Sequence, residues 1–361
     1  MKIRYITASI LCFINTASAQ GWETDYALSL SSYYGYTHYS TPKPTPYKTN
    51  NLNATLNAYA KLSYNFNYDY IASIIGYAMI DSAKEIENYN QGNWGEEFFT
   101  HIETPFGELS LGQDYNVAYN FAVGAPNIGS YRTNNSDITN FITNPNWYYK
   151  KGNSSFKTLN STYINTDGAS AKINYITPEF FNTKLGITYI PKTYSRSGLV
   201  SRDAQYKDKE AYVLGAYNSF YIKDYEIETS LGYADFTNND KEYSLGFSVY
   251  RKGWTLGASY RKTKAENSNY QINKDTYFDA YRSGQAYNLG LSYAIGPITT
   301  GVSYFNSKSD EFDIENDIIS FSNSYEYNKN TTFSFTIAHL NSKDKITTKG
   351  YAFVLGMELS L

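Results

Sequence analysis

The sequence has little cysteine, no long apolar run in its body and no basic block, and each shortage excludes a class of protein or of chemistry. Its only cysteine is Cys12, in an N-terminal segment that we expect to be removed, so the mature chain cannot use disulfides or thiol chemistry. A mean hydropathy of −0.51 argues against a bundle of transmembrane helices, since each helix needs about 20 apolar residues. The net charge is −3 without a basic block, so nothing predicts a nucleic-acid partner.

The N-terminus has the three parts of a secretory signal peptide. Lys2 and Arg4 precede a short apolar stretch over 5–14, and small residues lead to Ala19. An alternative is a short membrane anchor, but about 12 apolar residues cannot span a bilayer. We therefore expect export, with cleavage after Ala19 and a single domain over 20–361.

The aromatic content indicates strands. The chain holds 40 Tyr and 20 Phe against 3 Met, and aromatic side chains suit a pleated, half-buried surface better than a helix. Residues 52–66 alternate strictly, and the same period of two recurs along the chain. Their apolar positions are Leu52, Ala54, Leu56, Ala58, Ala60, Leu62, Tyr64 and Phe66. One face of each segment is therefore apolar and the other polar, which predicts an all-β protein.

The polar face distinguishes a membrane barrel from a soluble sandwich. A sandwich exposes Lys and Glu and packs Val, Ile and Leu inside, whereas here the second face is largely Gly, Ser and Thr. The apolar face is Leu, with Tyr and Phe near the segment ends. Such a face is typical of a lipid-facing band with aromatic girdles, and the small polar face of a lumen wall. We predict a transmembrane antiparallel β-barrel.

Very short links such as 67–69, 105–107 and 296–297 alternate with longer polar ones such as 38–50 and 192–207. This arrangement matches outer-membrane barrels, with short periplasmic turns and long external loops. About sixteen strands are predicted, with fourteen or eighteen as alternatives, and an even number places both termini on one side. The segments are 24–37, 51–66, 69–82, 93–104, 108–118, 169–177, 182–190, 208–222, 225–236, 241–251, 254–264, 284–295, 298–308, 315–327, 331–342 and 347–361.

Two segments resemble the general bacterial porin family of Gram-negative outer membranes. The segment 106–112, Phe-Gly-Glu-Leu-Ser-Leu-Gly, resembles the family's turn and strand before its third loop, although Gln113 stands where the family commonly has Arg. The segment 173–181 resembles the strand and turn after that loop, with Thr177 in place of the usual Ser. The two motifs cover some 20 residues, and their order together with the barrel rhythm extends the resemblance over the whole chain.

Between the two motifs, residues 119–168 lack sustained alternation, and a structureless stretch of this length is usually functional or disordered. The resemblance implies that this long third loop folds into the pore and narrows it, and that the barrel is a homotrimer. The alternative is an external flap or a small extra hairpin, since residues 158–165 could pair locally.

In a passive channel, charged side chains on the wall set ion preference. Alternation places a set of charged residues on the lumen side, and the loop adds further candidates. The wall positions are Lys61, Glu97, His101, Glu103, Lys172 and Arg261, and the loop positions are Arg132, Asp137, Lys150 and Lys151. The alternative for each is a solvated wall position with little effect on conduction.

Catalysis has little support in the sequence, and neither a metal nor another cofactor is predicted. The three histidines, His38, His101 and His339, are far apart, and alternation places His339 on the apolar face. A barrel lipase would need a Ser–His pair with an orienting third group, for which His101 is the one candidate.

We therefore expect an outer-membrane porin, surrounded by lipid, through which ions and small hydrophilic solutes diffuse passively. A substrate-specific channel with the same fold is the first alternative. A surface adhesin, in which the external loops bind a host ligand, is the second.

Overall fold

The fold is a single closed β-barrel. The computed structural model describes residues 21–40, 50–67, 69–81, 97–128, 148–149, 153–154, 158–159, 161–167, 170–191, 210–236, 240–264, 283–310, 315–343 and 347–360. The predicted signal peptide over 1–19 lies outside these residues. Among the helices of the described ranges, none is long and apolar enough to cross a membrane.

Sixteen strands form the barrel, each antiparallel to its two neighbours, and a separate two-stranded hairpin joins β6 to β7. A short helix, α1, spans Val117–Asn120. The strands are β1 Trp22–Ser40, β2 Asn50–Asn67, β3 Tyr70–Asp81, β4 Glu97–Thr104, β5 Gly107–Gln113, β6 Tyr148–Tyr149, β7 Asn153–Ser154, β8 Ala171–Ile176, β9 Thr183–Ile190, β10 Ala211–Ile222, β11 Tyr225–Phe236, β12 Asp240–Arg251, β13 Trp254–Lys264, β14 Gly284–Ile295, β15 Ile298–Ser309, β16 Glu315–Asn328, β17 Thr331–Lys343 and β18 Thr348–Ser360.

The barrel closes where the first strand meets the last. Strand β1 pairs with β18 from Ser29 opposite Ser360 to Ser40 opposite Lys349, so neither strand leaves an open edge. Closure matters because an unpaired backbone group in hydrocarbon costs several kcal/mol. The predicted sixteen-stranded antiparallel barrel is confirmed.

One predicted strand end is wrong. The alternation suggested a strand over 108–118, but β5 ends at Gln113 and α1 begins at Val117. The Asn116 side chain accepts a hydrogen bond from the backbone N of Tyr119 at 2.9 Å, which caps the helix and competes with continued strand pairing. The chain therefore leaves the wall at this point.

The outer surface is an apolar band between two aromatic girdles. Exposed Leu, Ile and Val side chains occupy the middle of the strands. The girdle nearest the short turns includes Trp22, Phe66, Tyr70, Tyr225, Trp254, Tyr325 and Phe333, and the girdle nearest the long loops includes Tyr34, Tyr36, Phe98, Tyr212, Tyr243, Tyr287 and Tyr351. Amphipathic rings favour the membrane–water interfaces, so the band fits the hydrocarbon core of a bilayer.

The two motifs that carry the family resemblance lie side by side. Strand β5 pairs with β8, and the Tyr175 hydroxyl donates to the Phe106 carbonyl at 2.6 Å. Gly107 has φ +125°, and a Cβ there would overlap the Ile176 carbonyl oxygen. Glycine at this turn is required by both the backbone conformation and the close approach of β8.

The turn between β10 and β11 is tied to the neighbouring strand. Arg251 donates from Nε to Asp224 Oδ2 and from Nη1 to the Tyr225 hydroxyl, both at 2.7 Å. The hydrogen bond from Arg251 lowers the pKa of the Asp224 carboxyl below its ordinary value. The Arg251 guanidinium also lies 4.5 Å from the centroid of the Tyr225 ring, a distance that allows a cation–π contact.

The inner wall is not uniformly small and polar, which differs from the prediction. Two apolar clusters face inward near the long-loop end. One contains Ile190, Val213 and Phe236 together with Ile164 of the third loop. The other contains Tyr33, Phe305, Ile318, Leu340 and Val354, against which Leu159 of the same loop packs. Both clusters are buried, and the loop contributes a side chain to each of them.

Replacement of Gly107 by alanine tests the tight turn between β4 and β5. We expect Gly107→Ala to destabilise the barrel by about 1 to 3 kcal/mol, because the new Cβ forces a strained φ and overlaps β8. The free energy of unfolding is measured by urea titration, in which the gel mobility of the folded barrel reports the fraction that remains folded. Gly296→Asn is the control, since Gly296 has φ +55° and a Cβ there would meet no atom within 4 Å, and Asn tolerates this conformation. Equal stability of both variants would contradict the expectation.

Candidate functional site

The first part of the third loop runs along the inside of the barrel wall. Its backbone N–H groups donate to inward-facing side chains, from Val117 to Thr188 Oγ1 at 2.9 Å and from Val123 to Ser230 Oγ at 3.0 Å. The backbone N of Ala125 donates to Asn288 Oδ1 at 3.2 Å. These acceptors belong to β9, β11 and β14. The prediction that the loop folds into the barrel is confirmed for this part of it.

The returning part of the loop is also bound to the inner wall. The hydroxyls of Thr162 and Ser259 are 2.6 Å apart, and those of Thr158 and Ser307 are 2.7 Å apart. Asn316 Nδ2 donates to Thr158 Oγ1 at 2.8 Å. The alternative of local pairing over 158–165 is not borne out by the described residues of this range, since none of residues 158–159 and 161–165 belongs to a strand. The small hairpin within the loop is formed by β6 and β7 instead.

Lys172 and Arg261 face inward, as alternation predicts, but their charged ends do not meet lumen water. Lys172 Nζ lies 2.5 Å from Asp167 Oδ2, with both side chains at most 1% exposed. Arg261 Nη2 lies 2.7 Å from Glu242 Oε2, with exposures of 2% and 1%. A charge buried this deeply needs a partner. Each pair thus neutralises a base beneath the loop.

The Arg261 guanidinium also holds the loop. It donates from Nη1 to Asn165 Oδ1 at 2.8 Å and from Nη2 to the Thr166 hydroxyl at 2.7 Å. Asp167 is held in the same way from the loop side, because Asn116 Nδ2 donates to its Oδ1 at 2.6 Å. The two pairs therefore fix the returning segment to β8, β12 and β13.

A row of partly exposed ionisable side chains, four of them charged and the fifth a histidine, follows the inner wall from β2 to β9. Glu103 Oε1 lies 3.8 Å from Lys61 Nζ and 3.6 Å from His101 Nε2. Glu108 continues the row, at 3.8 Å from His101 Nε2 and 3.5 Å from Lys184 Nζ. These side chains are between 16% and 39% exposed. We call Lys61, His101, Glu103, Glu108 and Lys184 the charged row.

Much of the charged row faces the loop across the barrel. In the closed strand order, β3 and β13 are eight strands apart in both directions, so β2 to β4 lie opposite β12 to β14. Loop residues 123–125 run over β11 to β14, as their hydrogen bonds to Ser230 and Asn288 show. Loop residues 123–125 and the wall that carries Lys61, His101 and Glu103 therefore lie on opposite sides of the barrel.

The remaining residues that the sequence singled out have three outcomes. Glu97 faces inward opposite Tyr77 at the long-loop end of β4, away from the charged row. His339 lies on the outer face, with its ring centroid 4.6 Å from that of Tyr351. Residues Arg132, Asp137, Lys150 and Lys151 lie outside the described residues.

The candidate Ser–His pair exists but has the geometry of a wall contact. His101 Nδ1 lies 2.9 Å from Ser110 Oγ, and the other ring nitrogen approaches Glu103 and Glu108 only at 3.6 and 3.8 Å. Ser110 is 8% exposed, which leaves little room for an ester at its hydroxyl. Within the described ranges, no group of three or more His, Cys, Asp or Glu side chains could hold a metal ion.

The family model described as "Gram-negative porin" matches residues 45–345 of the chain. The chain belongs to the Gram-negative porin family. Its place is the outer membrane, and the lumen described above is that of a porin. No curated protein matches this porin in sequence.

Solved porin structures share the fold at low identity. OmpF of Salmonella typhi, in complex with daunomycin, has a TM-score of 0.60 and 16% identity over 94% of this chain and 98% of its own. The anion-selective porin of Comamonas acidovorans has a TM-score of 0.59 and 13% identity over 94% of this chain and 100% of its own. The trimer form of OmpT of Vibrio cholerae has a TM-score of 0.58 and 10% identity over 95% and 100%.

Sequence reasoning missed part of the charged row and the acids of the two buried ion pairs, Asp167 and Glu242. Glu108 and Lys184 alternate with apolar neighbours in the same way as Lys61, so the same rule would have found them. Asp167 follows no periodic pattern, and Glu242 gives no sign in sequence that Arg261 will lie beside it.

Loss of the Arg261 side chain tests whether the buried pair holds this porin together. We expect Arg261→Met to destabilise the barrel by about 3 to 5 kcal/mol, because Glu242 is left buried without its partner. Urea unfolding of the purified barrel measures this. Lys262→Met is the matched control, since its ion pair with Asp310 has exposures of 34% and 42% and should contribute only about 0 to 1 kcal/mol. A smaller loss of stability in Arg261→Met/Glu242→Leu than in Arg261→Met would show that the unpaired Glu242 charge causes the effect. Equal losses of stability in Arg261→Met and Lys262→Met would contradict the expectation.

Proposed function

We propose that this porin lets ions and small hydrophilic solutes diffuse passively through the space between the third loop and the charged row. The observation that supports this is the partial exposure of the charged row opposite a loop that is bound to the wall. Opposed charges on a pore wall attract polar solutes and disfavour apolar ones. No catalytic step and no cofactor belong to this function.

We propose further that the pore prefers cations. Among the strand residues of the described ranges, inward-facing bases other than the buried pairs are Lys61 and Lys184. Inward-facing acids that keep contact with solvent are more numerous and lie on several strands. They are Glu23, Asp25, Glu97, Glu103, Glu108, Glu226, Glu228, Glu326 and Glu358. An excess of acid on a lumen wall raises the local concentration of cations.

The reversal potential in a KCl gradient across a planar bilayer tests both proposals. We expect the wild-type channel to favour K⁺, and Lys61→Glu to raise the ratio of K⁺ to Cl⁻ permeability roughly two- to fivefold. Lys308→Glu is the control, because Lys308 pairs with Gln285 on the outer face of β15 and the same charge change there should not alter the ratio. A wild-type preference for Cl⁻ would overturn the cation proposal, and no conductance at all would overturn the pore itself.

We propose that the barrel works as an exported homotrimer in the outer membrane. The similar OmpT of Vibrio cholerae has been solved in a trimer form, and the apolar outer band offers each copy a surface for its neighbours. The N-terminal segment supplies the export signal, with cleavage after Ala19.

One observation favours the alternative of a substrate-specific channel. Tyr115 and Tyr119 stack on the loop with ring centroids 4.1 Å apart and an angle of 16° between their planes. Tyr163 meets Tyr119 edge-on at 6.0 Å. All three rings are partly exposed, whereas Val117 and Ala118 of the same helix are buried. Aromatic rings at a narrowing can stack on a flat solute such as a nucleoside or a sugar ring.

Block of the KCl current by adenosine and by sucrose separates the two functions. A substrate-specific channel should show saturable block that weakens about fivefold or more in Tyr119→Ala, since one stacking contact contributes about 1 kcal/mol or more. Asn120→Ala is the control, because Asn120 is the exposed neighbour of Tyr119 without a ring. Conductance that rises linearly with salt and shows no block in the wild type would favour the general pore. The surface-adhesin alternative depends on the loops around 38–50, 192–207 and 266–283, which lie mostly outside the described residues.

A further inference from the structure

Six consecutive strands each place a glycine on the inner wall where the third loop lies. The cross-strand registers join Gly186 to Gly215 and Gly215 to Gly232, and they join Gly257 to Gly290. Gly246 stands between them on β12, opposite Ser230 and Ser259. We call Gly186, Gly215, Gly232, Gly246, Gly257 and Gly290 the glycine groove.

Loop atoms occupy the places where side chains would otherwise stand. A Cβ on Gly186 would lie 2.8 Å from Val117 Cβ, and one on Gly232 would lie 2.9 Å from Ala118 Cβ. At Gly290 it would lie 3.0 Å from Ala125 Cβ. All of these are closer than side-chain carbons pack in protein interiors, so the loop fits only against a wall without side chains.

In the middle of the groove the contact is between two backbones. A Cβ on Gly246 would overlap the Val123 carbonyl oxygen, and one on Gly257 would overlap the Gly124 carbonyl oxygen. Gly124 itself faces the wall, where a Cβ would lie 2.6 Å from Ser259 Oγ. A backbone cannot yield as the end of a flexible side chain can, so these two positions set the distance between loop and wall.

Glycine inside a strand carries a cost that calls for an explanation. It has more conformational freedom to lose than any other residue and offers no side chain for packing, so it destabilises a strand relative to alanine. A lumen wall that needs only small side chains could use alanine or serine. Alanine cannot replace these glycines because residues 117–126 approach the wall too closely to leave room for a Cβ.

We propose that the glycine groove determines the width of the pore, because it fixes how far the third loop projects from the wall toward the charged row. Gly246 and Gly257 are its central positioning residues. An added methyl group there pushes residues 123–124 toward the lumen, whereas the same methyl group elsewhere in the barrel does not. The proposal deepens the proposed pore function and rests on it.

The test is single-channel conductance in KCl together with the size cut-off for sugars in liposome swelling. We expect Gly246→Ala and Gly257→Ala to lower the conductance by a factor of about 1.3 to 2 and to lower the size cut-off. Gly76→Ala is the matched control, since Gly76 lies on the outer face of β3 and a Cβ there would come no closer than 3.8 Å to Phe98. Its conductance should equal that of the wild type.

A double variant keeps the proposal testable if the backbone overlaps prevent folding. A Cβ on Gly290 would meet the side chains of Ala125 and Pro126 at 3.0 and 3.1 Å and the Val302 carbonyl oxygen at 3.2 Å, without the overlap with backbone found at Gly246 and Gly257, so we expect a smaller fall in conductance. Removal of the facing methyl group in Ala125→Gly/Gly290→Ala leaves the contacts with Pro126 and Val302 and should then recover part of the lost conductance. Folding of each variant is checked by the gel mobility of the unheated barrel.

The outcomes distinguish failure of the glycine-groove proposal from failure of the proposed pore function. A wild-type protein that shows no conductance would overturn the pore function. The groove proposal would be overturned if the wild type conducts and the folded variants Gly246→Ala, Gly257→Ala and Gly290→Ala keep its conductance and size cut-off. A double variant that recovers none of the lost conductance would also overturn it.

Discussion

Every backbone N–H and C=O group in the lipid-facing wall must find a partner in a neighbouring strand, since hydrocarbon offers none. The pairing of β1 with β18 satisfies this requirement by removing the open edges of the sheet. A closed ladder also fixes the direction of each side chain, because successive residues point to opposite faces. The apolar band, the two girdles and the inward position of the charged row all follow from that one pattern of pairing.

A wall that is fixed in this way makes the third loop adapt to it. The loop enters the barrel at the capped helix α1, and its backbone N–H groups meet Thr, Ser and Asn side chains of the wall. Its apolar residues Ile164 and Leu159 cover inward-facing apolar clusters. Two bases that would otherwise enter the lumen lie beneath the loop and pair with Asp167 and Glu242. The fold thus converts wall charges into fixed attachments of the loop.

This conversion changes which charges a solute meets. With Lys172 and Arg261 neutralised, the charged side chains of the described strands that face inward and keep contact with solvent are mainly acids, together with Lys61 and Lys184. Their field acts over the width of a narrow lumen, where counter-ions screen it less completely than on an open surface. The cation preference that we propose therefore depends on which bases the loop covers, as well as on the residues that the wall contains.

The sequence alone determined the strands, because the alternation of apolar and polar residues with a period of two is a local property that can be read from neighbouring residues. Most strand ends agree within a few residues, and the exception, β5, ends where the Asn116 side chain caps a helix. The inward direction of Lys61, His101, Glu103, Lys172 and Arg261 followed from the same period. Only the tertiary structure decided which of them meet water, since Arg261 and the loop residue Asn165 are 96 positions apart. Only the tertiary structure also shows the role of the wall glycines. In sequence they look like part of any small polar wall, whereas in the structure the loop backbone packs against them. Contacts between distant segments leave no periodic pattern in the sequence, whereas strands do. For this physical reason the barrel could be predicted, and the wall residues that bind the third loop could not.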